Sequence, residues 1–353
     1  MSNRILAINP GSTSTKIAVY DDEKEIFSKS IDHPVEELNK FAELIDQFDY
    51  RKDIIEKSLE GADIDSHTLS AVVGRGGIIR NLATGGYIVN EKMRNELANN
   101  PVFIHASNLG GLIADSFAKP LGIPAYIYDA VTSNELLPVS KVTGFKEVER
   151  ESFCHVLNSR AMSMKLARSK GKKYEDMNYV VAHMGGGVSI SAHHHGRIID
   201  SVSDDAGPFS PDRSGSLNLF YVVDMCYSGK YTKKEMLKKI RGEGGLKSLL
   251  GTTDCREIER RIAEGDEYAK LVYEAQALQI AKGIGIMLSC FEEKIDAVIL
   301  TGGMAYSVML TDMIKRRIER FVPVEIVAGE NEMEALALGA LRILRGEESV
   351  KEL

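Results

Sequence analysis

Cysteine is scarce in this sequence. Cys154, Cys226, Cys255 and Cys290 are its four cysteines, and none stands in CxxC spacing. That excludes a disulfide framework and a cysteine-held zinc site, and it fits a reducing compartment. Long apolar runs are also missing. No stretch approaches about 18 residues, and a strand-like segment starts at once, where a secretory leader would need a basic stretch and an apolar core. The expectation is a cytoplasmic protein with no membrane partner. Nor is there an excess of positive charge: 44 Lys and Arg stand against 51 Asp and Glu, a net charge of −7. A broad nucleic-acid surface is excluded, and a small anionic ligand would have to be met by individual arginines. Low-complexity tracts are absent, and with 44% hydrophobic and 27% charged residues the 353-residue chain reads as globular, with enough length for two domains.

What is present begins with "INPGSTSTKIAVYD", residues 8–21. Apolar flanks rich in Ile, Val and Tyr predict two strands, joined by a turn that carries Asn9, Gly11, Ser12, Ser14 and Lys16. Such a turn offers backbone N–H groups, hydroxyls and an ammonium to one point, which suits phosphate; an ordinary polar hairpin turn is the alternative. The P-loop pattern GxxxxGK[ST] is not present. A second hairpin, "NYVVAHMGGGVSISAHHHGRIID", occupies residues 178–200. Placing Asn9 on His183, 174 positions further on, superposes "LAINPGSTSTKIA" on "VVAHMGGGVSISA". The pattern predicts two similar domains, with the two hairpins gripping a polyphosphate from both sides. Elsewhere strands ("LSAVVGRGG", "PAYIYDAVT", "DAVILTGGMA") alternate with helical patterns, one of them ended at Pro120, giving an α/β architecture with glycines at strand ends. His193, His194 and His195 are adjacent on an extended segment. Alternating faces should prevent them from converging on one ion, so the segment reads as a solvated turn.

The segments "NPGSTSTK", "GRGG", "YDAVTSNELLP", "HMGGG", "PDRSG", "TGGMA" and "GENEMEALALGA" occur in the order found in the acetokinase family. The chain resembles that family over nearly its whole length, most closely the members that act on butyrate. The resemblance implies two duplicated α/β domains of the actin, Hsp70 and sugar-kinase (ribonuclease H-like) type, with an interdomain cleft that takes ATP or ADP and Mg²⁺. We expect the first domain at 1–150 plus 334–353, with the first hairpin and the acyl side, and the second, nucleotide-side domain at 151–333. The implied reaction moves a phosphoryl group reversibly between ATP and a short-chain carboxylate. At least a homodimer is implied as well.

That chemistry needs cations more than a base, because the acceptor is already ionised and in-line transfer spreads negative charge over the equatorial oxygens. Arg75 in "GRGG" and Arg213 in "PDRSG" match the family's two active-site arginines, whose planar forks can bind two oxygens at once. His155 matches its phosphoryl-stabilising histidine. Asp129, ending a strand, is expected to orient a metal-bound water or to position His155 or an arginine. Glu332 matches the Mg²⁺-associated glutamate, with Asn9 nearby; Glu330 and Glu334 are close enough to compete for that role. His183, Gly185, Gly186 and Gly187 form the second phosphate turn, opposite Ser12, Ser14 and Lys16. Gly302 and Gly303 are expected near the α-phosphate and ribose, and Asp254, Cys255 and Arg256 beside the adenine. Ile78, Ile79, His105 and Asn108 are expected around the acyl chain.

Two extra methylenes are worth roughly 1.5 kcal/mol, so butyrate is favoured over acetate by about tenfold, with propionate and isobutyrate remaining open. A sugar kinase would need a strong base and a polar pocket. A non-enzymatic clamp of the Hsp70 or actin kind would need a peptide module or a polymer surface. Paired arginines suit a carboxylate better than either.

Overall fold

Alternating apolar residues on either side of the first glycine turn form β1 (Arg4–Pro10) and β2 (Ser14–Asp21), paired antiparallel from Arg4 with Asp21 to Pro10 with Thr15. The computed structural model describes residues 2–80, 82–203 and 206–353. The chain divides into two compact units, Met1–Asn134 with Asn331–Leu353, and Glu135–Glu330.

In unit 1 the hairpin is extended by β3 (Lys24–Asp32), β4 (Ala71–Arg75), β5 (Gly86–Ile88) and β6 (Ala125–Tyr128), in the spatial order β3-β2-β1-β4-β6-β5. Strands β1, β4 and β6 run parallel, as expected where helices cover both faces of a sheet. Alternation along β1 sends Leu6 and Ile8 to one face, where they join Ile55 and Leu59 of the helix Phe48–Glu60 and Leu109 and Ile113 of the helix Asn108–Leu121. Asn9 has the opposite parity, and the helix Glu332–Leu344 reaches it on that side.

Unit 2 repeats this plan. Strands β7 (Asn178–Met184), β8 (Val188–His194), β9 (Arg197–Val202), β10 (Ala297–Thr301) and β11 (Val324–Ile326) are ordered β9-β8-β7-β10-β11. This is the order of β3-β2-β1-β4-β6, and β7 and the start of β8 follow β1 and the start of β2 at the 174-residue spacing read from the sequence. Val180, Ala182 and Met184 pack towards the helix Glu267–Leu288, whereas Tyr179 and Val181 pack with Leu166 and Ala167 of the helix Val156–Ser169.

Two local expectations change. The first unit boundary lies after Asn134 rather than after residue 150, because residues 135–150 are tied to β9: Leu137 N–H donates to the Ile199 carbonyl (3.0 Å), Ile198 N–H to the Glu135 carboxylate (3.2 Å), and Arg150 to Asp200 (2.8 Å). The second lies between Glu330 and Asn331 rather than after residue 333. The helix expected to stop at Pro120 runs to Leu121 with Pro120 in its last turn, and the left-handed Gly122 (φ 66°) closes it. Among the described residues no helix is long and apolar enough to cross a membrane.

The positions of Arg75 and Asn108 both depend on how closely β4 and the helix Asn108–Leu121 pack. A Cβ built on Gly74 would fall on the backbone of Gly110 and Gly111. No rotamer can relieve a backbone clash, so Gly74→Ala should cost at least about 2 kcal/mol in urea unfolding. Wild-type stability in that variant would show that strand and helix are not held at this distance.

Candidate active site

Three sequence-predicted residues converge in unit 1. Asn9 ends the inner part of β1, and its carboxamide Nδ2 donates to Glu332 Oε2 (2.7 Å). Arg75 ends β4, and its Nη1 lies 3.3 Å from Asn9 Oδ1 and 3.1 Å from Glu332 Oε1. The parallel pairing of Ile8 with Gly74 sets the two strand ends side by side, and the first turn of the helix Glu332–Leu344 brings the carboxylate to them. Of the three neighbouring glutamates, Glu332 is therefore the one beside Asn9 and Arg75. Glu334 accepts from Asn331 (2.9 Å), and Glu330 belongs to unit 2. A carboxylate and a carboxamide oxygen are hard donors of the kind Mg²⁺ takes, and one carboxylate suffices for an ion that keeps most of its waters.

The first hairpin turn lies at the same end of β1. Lys16 pairs with Asn9 across β1 and β2 and is exposed; Ser12 is exposed and Ser14 half-buried. All four carbonyls of the turn are occupied. Arg51, from the helix Phe48–Glu60, is completely buried, and its Nη1 and Nη2 donate to the carbonyls of Gly11 (2.9 Å) and Ser12 (3.2 Å). His33 N–H donates to the Thr13 carbonyl (2.8 Å) and Gly11 N–H to the Ser14 carbonyl (2.7 Å). An anion arriving at the turn thus meets donors with their competing acceptors already used, as a phosphate nest requires. Arg51 was missed by the sequence reading, since "FDYRKDIIEK" looks like the charged face of a surface helix. Burial lowers the pKa of Arg51, and burial followed by the nearby Arg51 charge pulls His33 down to about 4, so His33 is neutral where its Nε2 meets the Thr15 hydroxyl (2.8 Å).

Asp129 follows β6 in a left-handed conformation (φ 46°), and its buried Oδ1 accepts from Gly85 N–H (2.6 Å). It stands one residue beyond Tyr128, the cross-strand partner of Arg75. Of the residues expected around the acyl chain, Asn108 Oδ1 accepts from Ile78 N–H (2.7 Å), so these two are brought together. Ile78 and Ile79 are both 2% exposed; Ile79 joins the unit 1 core, and His105 Nδ1 is engaged with Ser107 (2.9 Å).

Unit 2 assembles a second group. His155 precedes the helix Val156–Ser169, and its ring stacks on that of His183, with centroids 3.9 Å apart and 13° between planes. Ser189 Oγ accepts from His155 N–H (3.2 Å) and lies 2.8 Å from its Nδ1. Asn158 Nδ2 donates to His183 Nδ1 (2.9 Å), so the His183 ring carries its proton on Nε2, 3.3 Å from Glu330 Oε1. The Gly185–Gly187 turn closes with a 3.0 Å bond from Gly185 N–H to the Gly187 carbonyl, and Ser210 Oγ donates to the Gly186 carbonyl (2.6 Å). Ser210 N–H donates to the Arg213 carbonyl (3.1 Å), so the arginine loop and the glycine turn are joined through one serine. Burial, then the neighbouring Arg241 charge, lowers Arg213 to about 10, which leaves it a cation at neutral pH.

Gly302 is left-handed (φ 87°) and rests against the Met184 backbone, where any Cβ would clash; at Gly186 and Gly303 a Cβ would meet nothing within 4 Å, which leaves room for a ligand to approach the main chain. These features fit a nucleotide. Asp254 instead caps the helix Cys255–Ala263, accepting from Arg256 N–H (2.9 Å), and that N–H with the exposed guanidinium of Arg256 holds its carboxyl at about 2. Cys255 is half-buried against the unit 2 core. His193 turns inward, 2.7 Å from the Tyr174 hydroxyl, while the rings of His194, the last residue of β8, and His195 lie side by side.

The sequence model described as the acetokinase family matches residues 147–327. Butyrate kinase 1 of Clostridium acetobutylicum is 46% identical over 351 residues, 99% of either chain. Among solved structures, acetate kinase from Porphyromonas gingivalis superposes with a TM-score of 0.78 at 18% identity, over 97% of this chain and 100% of that one. A propionate kinase from Francisella tularensis gives 0.76 at 18% identity, over 96% and 98%. The duplicated α/β fold is the one these kinases have.

The buried pair beneath the first turn makes two outcomes measurable. Arg51→Met should cost about 3 kcal/mol or more in urea unfolding, because it leaves the Gly11 and Ser12 carbonyls without donors, and Arg51→Lys should recover only part of that. An unchanged midpoint in both variants would remove Arg51 from this role. Because folded His33 titrates near 4 and an unfolded imidazole near 6.5, the unfolded chain binds the extra proton between those values. Stability should therefore fall as pH drops from about 6.5 to 4. The slope should be reduced in His33→Gln, though not abolished, since buried His193 is held at about 3.

Proposed function

The chain belongs to the acetokinase family, and on that premise we propose that it transfers a phosphoryl group reversibly between ATP and butyrate, giving butyryl phosphate and ADP. It is a carboxylate phosphotransferase; butyrate is the acceptor that follows from its 46% identity to a butyrate kinase along 99% of the chain. The observation that carries the reading is the convergence of Arg75, Asn9 and Glu332, which places a guanidinium fork and hard oxygen donors at one strand end.

A carboxylic acid titrates near 4 and is already ionised at neutral pH, so the nucleophile needs no base. In the forward direction a carboxylate oxygen bonds to the γ-phosphorus as the bond to the β–γ bridging oxygen breaks, and ADP leaves. The difficulty is charge. We assign Arg75 to the acceptor carboxylate and the transferring group, and Arg213 to the equatorial oxygens. His155 donates to the same oxygens through Nε2, its Nδ1 being engaged by Ser189. Asp129 holds the Gly85 backbone and so fixes the end of β6 next to Arg75. The two hairpin turns take phosphate oxygens: Gly185, Gly186 and Gly187 with His183 in unit 2, and Ser12, Ser14 and Lys16 in unit 1. Gly302 and Gly303 receive the nucleotide backbone. Glu332, with Asn9, would hold Mg²⁺, which when bound neutralises charge on the phosphates. Ile78, held by Asn108, is the residue we place against the acyl chain.

Hydroxylamine traps activated acyl groups, so acyl hydroxamate formation with ATP, Mg²⁺ and acids from acetate to valerate tests the reading directly. An optimum in kcat/KM at four carbons is expected, about tenfold above acetate. An optimum at two or three carbons would reassign the acceptor, and no product with any acid would remove the reaction. Arg75→Ala and Arg213→Ala should each lose at least about a hundredfold in kcat with normal folding, and Glu332→Gln should raise the Mg²⁺ concentration at half-maximal rate. Near wild-type rates in both arginine variants would overturn the site.

A further inference from the structure

At the opposite end of β8 from the glycine turn, three side chains form a cluster that the phosphoryl-transfer reading does not use. Strand β8 is seven residues long, about 20 Å at ~3.3 Å per residue. Adjacent histidines on a strand should point to opposite faces, and His193 and His194 do so. His195 escapes the rule because it lies beyond the strand in a left-handed conformation (φ 47°), which swings its ring alongside that of His194, with centroids 4.3 Å apart. Both rings turn to Glu293, in the loop before β10. His195 Nε2 lies 3.4 Å and His194 Nε2 3.7 Å from Glu293 Oε2, and the three atoms are all within 4.8 Å of one another.

The hydrogen bonds around the cluster bear on what it can hold. His195 Nδ1 is 3.0 Å from the Glu175 carbonyl, which can only accept, so Nδ1 carries the proton. Nε2 then faces a carboxylate oxygen across 3.4 Å, a gap that either a proton or a metal cation can bridge. A ligating imidazole whose other nitrogen donates to a backbone carbonyl is the usual arrangement around a metal, and Asn178 Nδ2 donates to the same Glu293 Oε2 (3.4 Å). Tetrahedral ligands at about 2.05 Å stand about 3.3 Å apart, close to both measured separations.

We propose that His194, His195 and Glu293 form a surface site for a divalent d-block cation, of which Zn²⁺ is the test case, with water completing its coordination. Two imidazoles and one carboxylate suit Zn²⁺, Co²⁺, Ni²⁺ or Cu²⁺ and disfavour Mg²⁺ and Ca²⁺, which take oxygen. The ion would clip the turn between β8 and β9 to the loop that feeds β10.

Calorimetric titration of the full chain with Zn²⁺ in saturating Mg²⁺ tests this. One equivalent should bind in wild type and in Glu332→Gln, and its affinity should fall at least about tenfold, the low end of what even an outer-shell partner contributes, in His195→Ala and in Glu293→Gln. Co²⁺ should give the intense visible absorption of a four-coordinate ion in wild type and lose it in His195→Ala, and Zn²⁺ should raise Tm in wild type alone of those two. Equal stoichiometry and affinity in wild type, His195→Ala and Glu293→Gln, or no binding in wild type, would overturn the proposal. Loss of the equivalent in Glu332→Gln instead would place the ion at Asn9 and Glu332 and overturn it as well.

Discussion

A turn that receives an anion has first to dispose of its own carbonyl oxygens. In the hairpin between β1 and β2 that requirement is met by one buried guanidinium, which reaches 40 residues back along the chain to Gly11 and occupies Ser12 as well. Much follows from this contact. It draws the helix Phe48–Glu60 against the hairpin, it sets the charge that His33 feels, and it fixes the turn next to Asn9. Unit 2 solves the same problem with the neutral hydroxyl of Ser210 on the Gly186 carbonyl. The duplicated turns thus share a shape and differ in charge beneath them.

The duplication extends to what stands at the strand ends. Asn9 and His183 occupy equivalent places on β1 and β7, and in either unit the residue meets the first turn of a helix lying on its face of the sheet. Glu332 comes from one such helix, and His155 and Asn158 come to His183 from the start of the other. Helix N-termini carry unpaired N–H groups and a partial positive charge, so both units bring a donor-rich helix end to the same topological position. One ancestral geometry has been furnished with a carboxylate and an arginine in one copy and with two imidazoles in the other.

Much of this was legible in the sequence because it is short-range. The glycine turns, their flanking strands and the 174-residue spacing are carried by adjacent residues, and Arg75 stands at a strand end that local patterning locates. Arg51 was not legible, because a buried arginine and a surface arginine look alike in a helical pattern and only the distant turn distinguishes them. Which of Glu330, Glu332 and Glu334 stands beside Asn9 and Arg75 depends on the unit boundary and on the directions that Glu332 and Glu334 take in the first turn of their helix, which no local propensity encodes. His193 turns inward, so the three histidines do not share one point, but His195 lies one residue past the end of the strand, where the alternation rule no longer sets its direction. Ile78 and Ile79 are equally buried, since an apolar residue after a glycine turn suits a core or the wall of an acyl pocket.

Unit 1 is assembled from two separated stretches, and all of unit 2 lies between them. During synthesis residues 331–353 therefore leave the ribosome only after unit 2 is complete, and unit 2 can fold first. Until then β1, β4 and β6 have no Glu332–Leu344 helix over one face, and a partly apolar sheet surface stays open to chaperones or to unwanted pairing. Arrival of that helix covers the surface and delivers the carboxylate beside Arg75 in a single event. A nascent or prematurely truncated chain therefore lacks both the cover and the carboxylate, and the burial step that finishes the fold is also the one that completes the group of Asn9, Arg75 and Glu332.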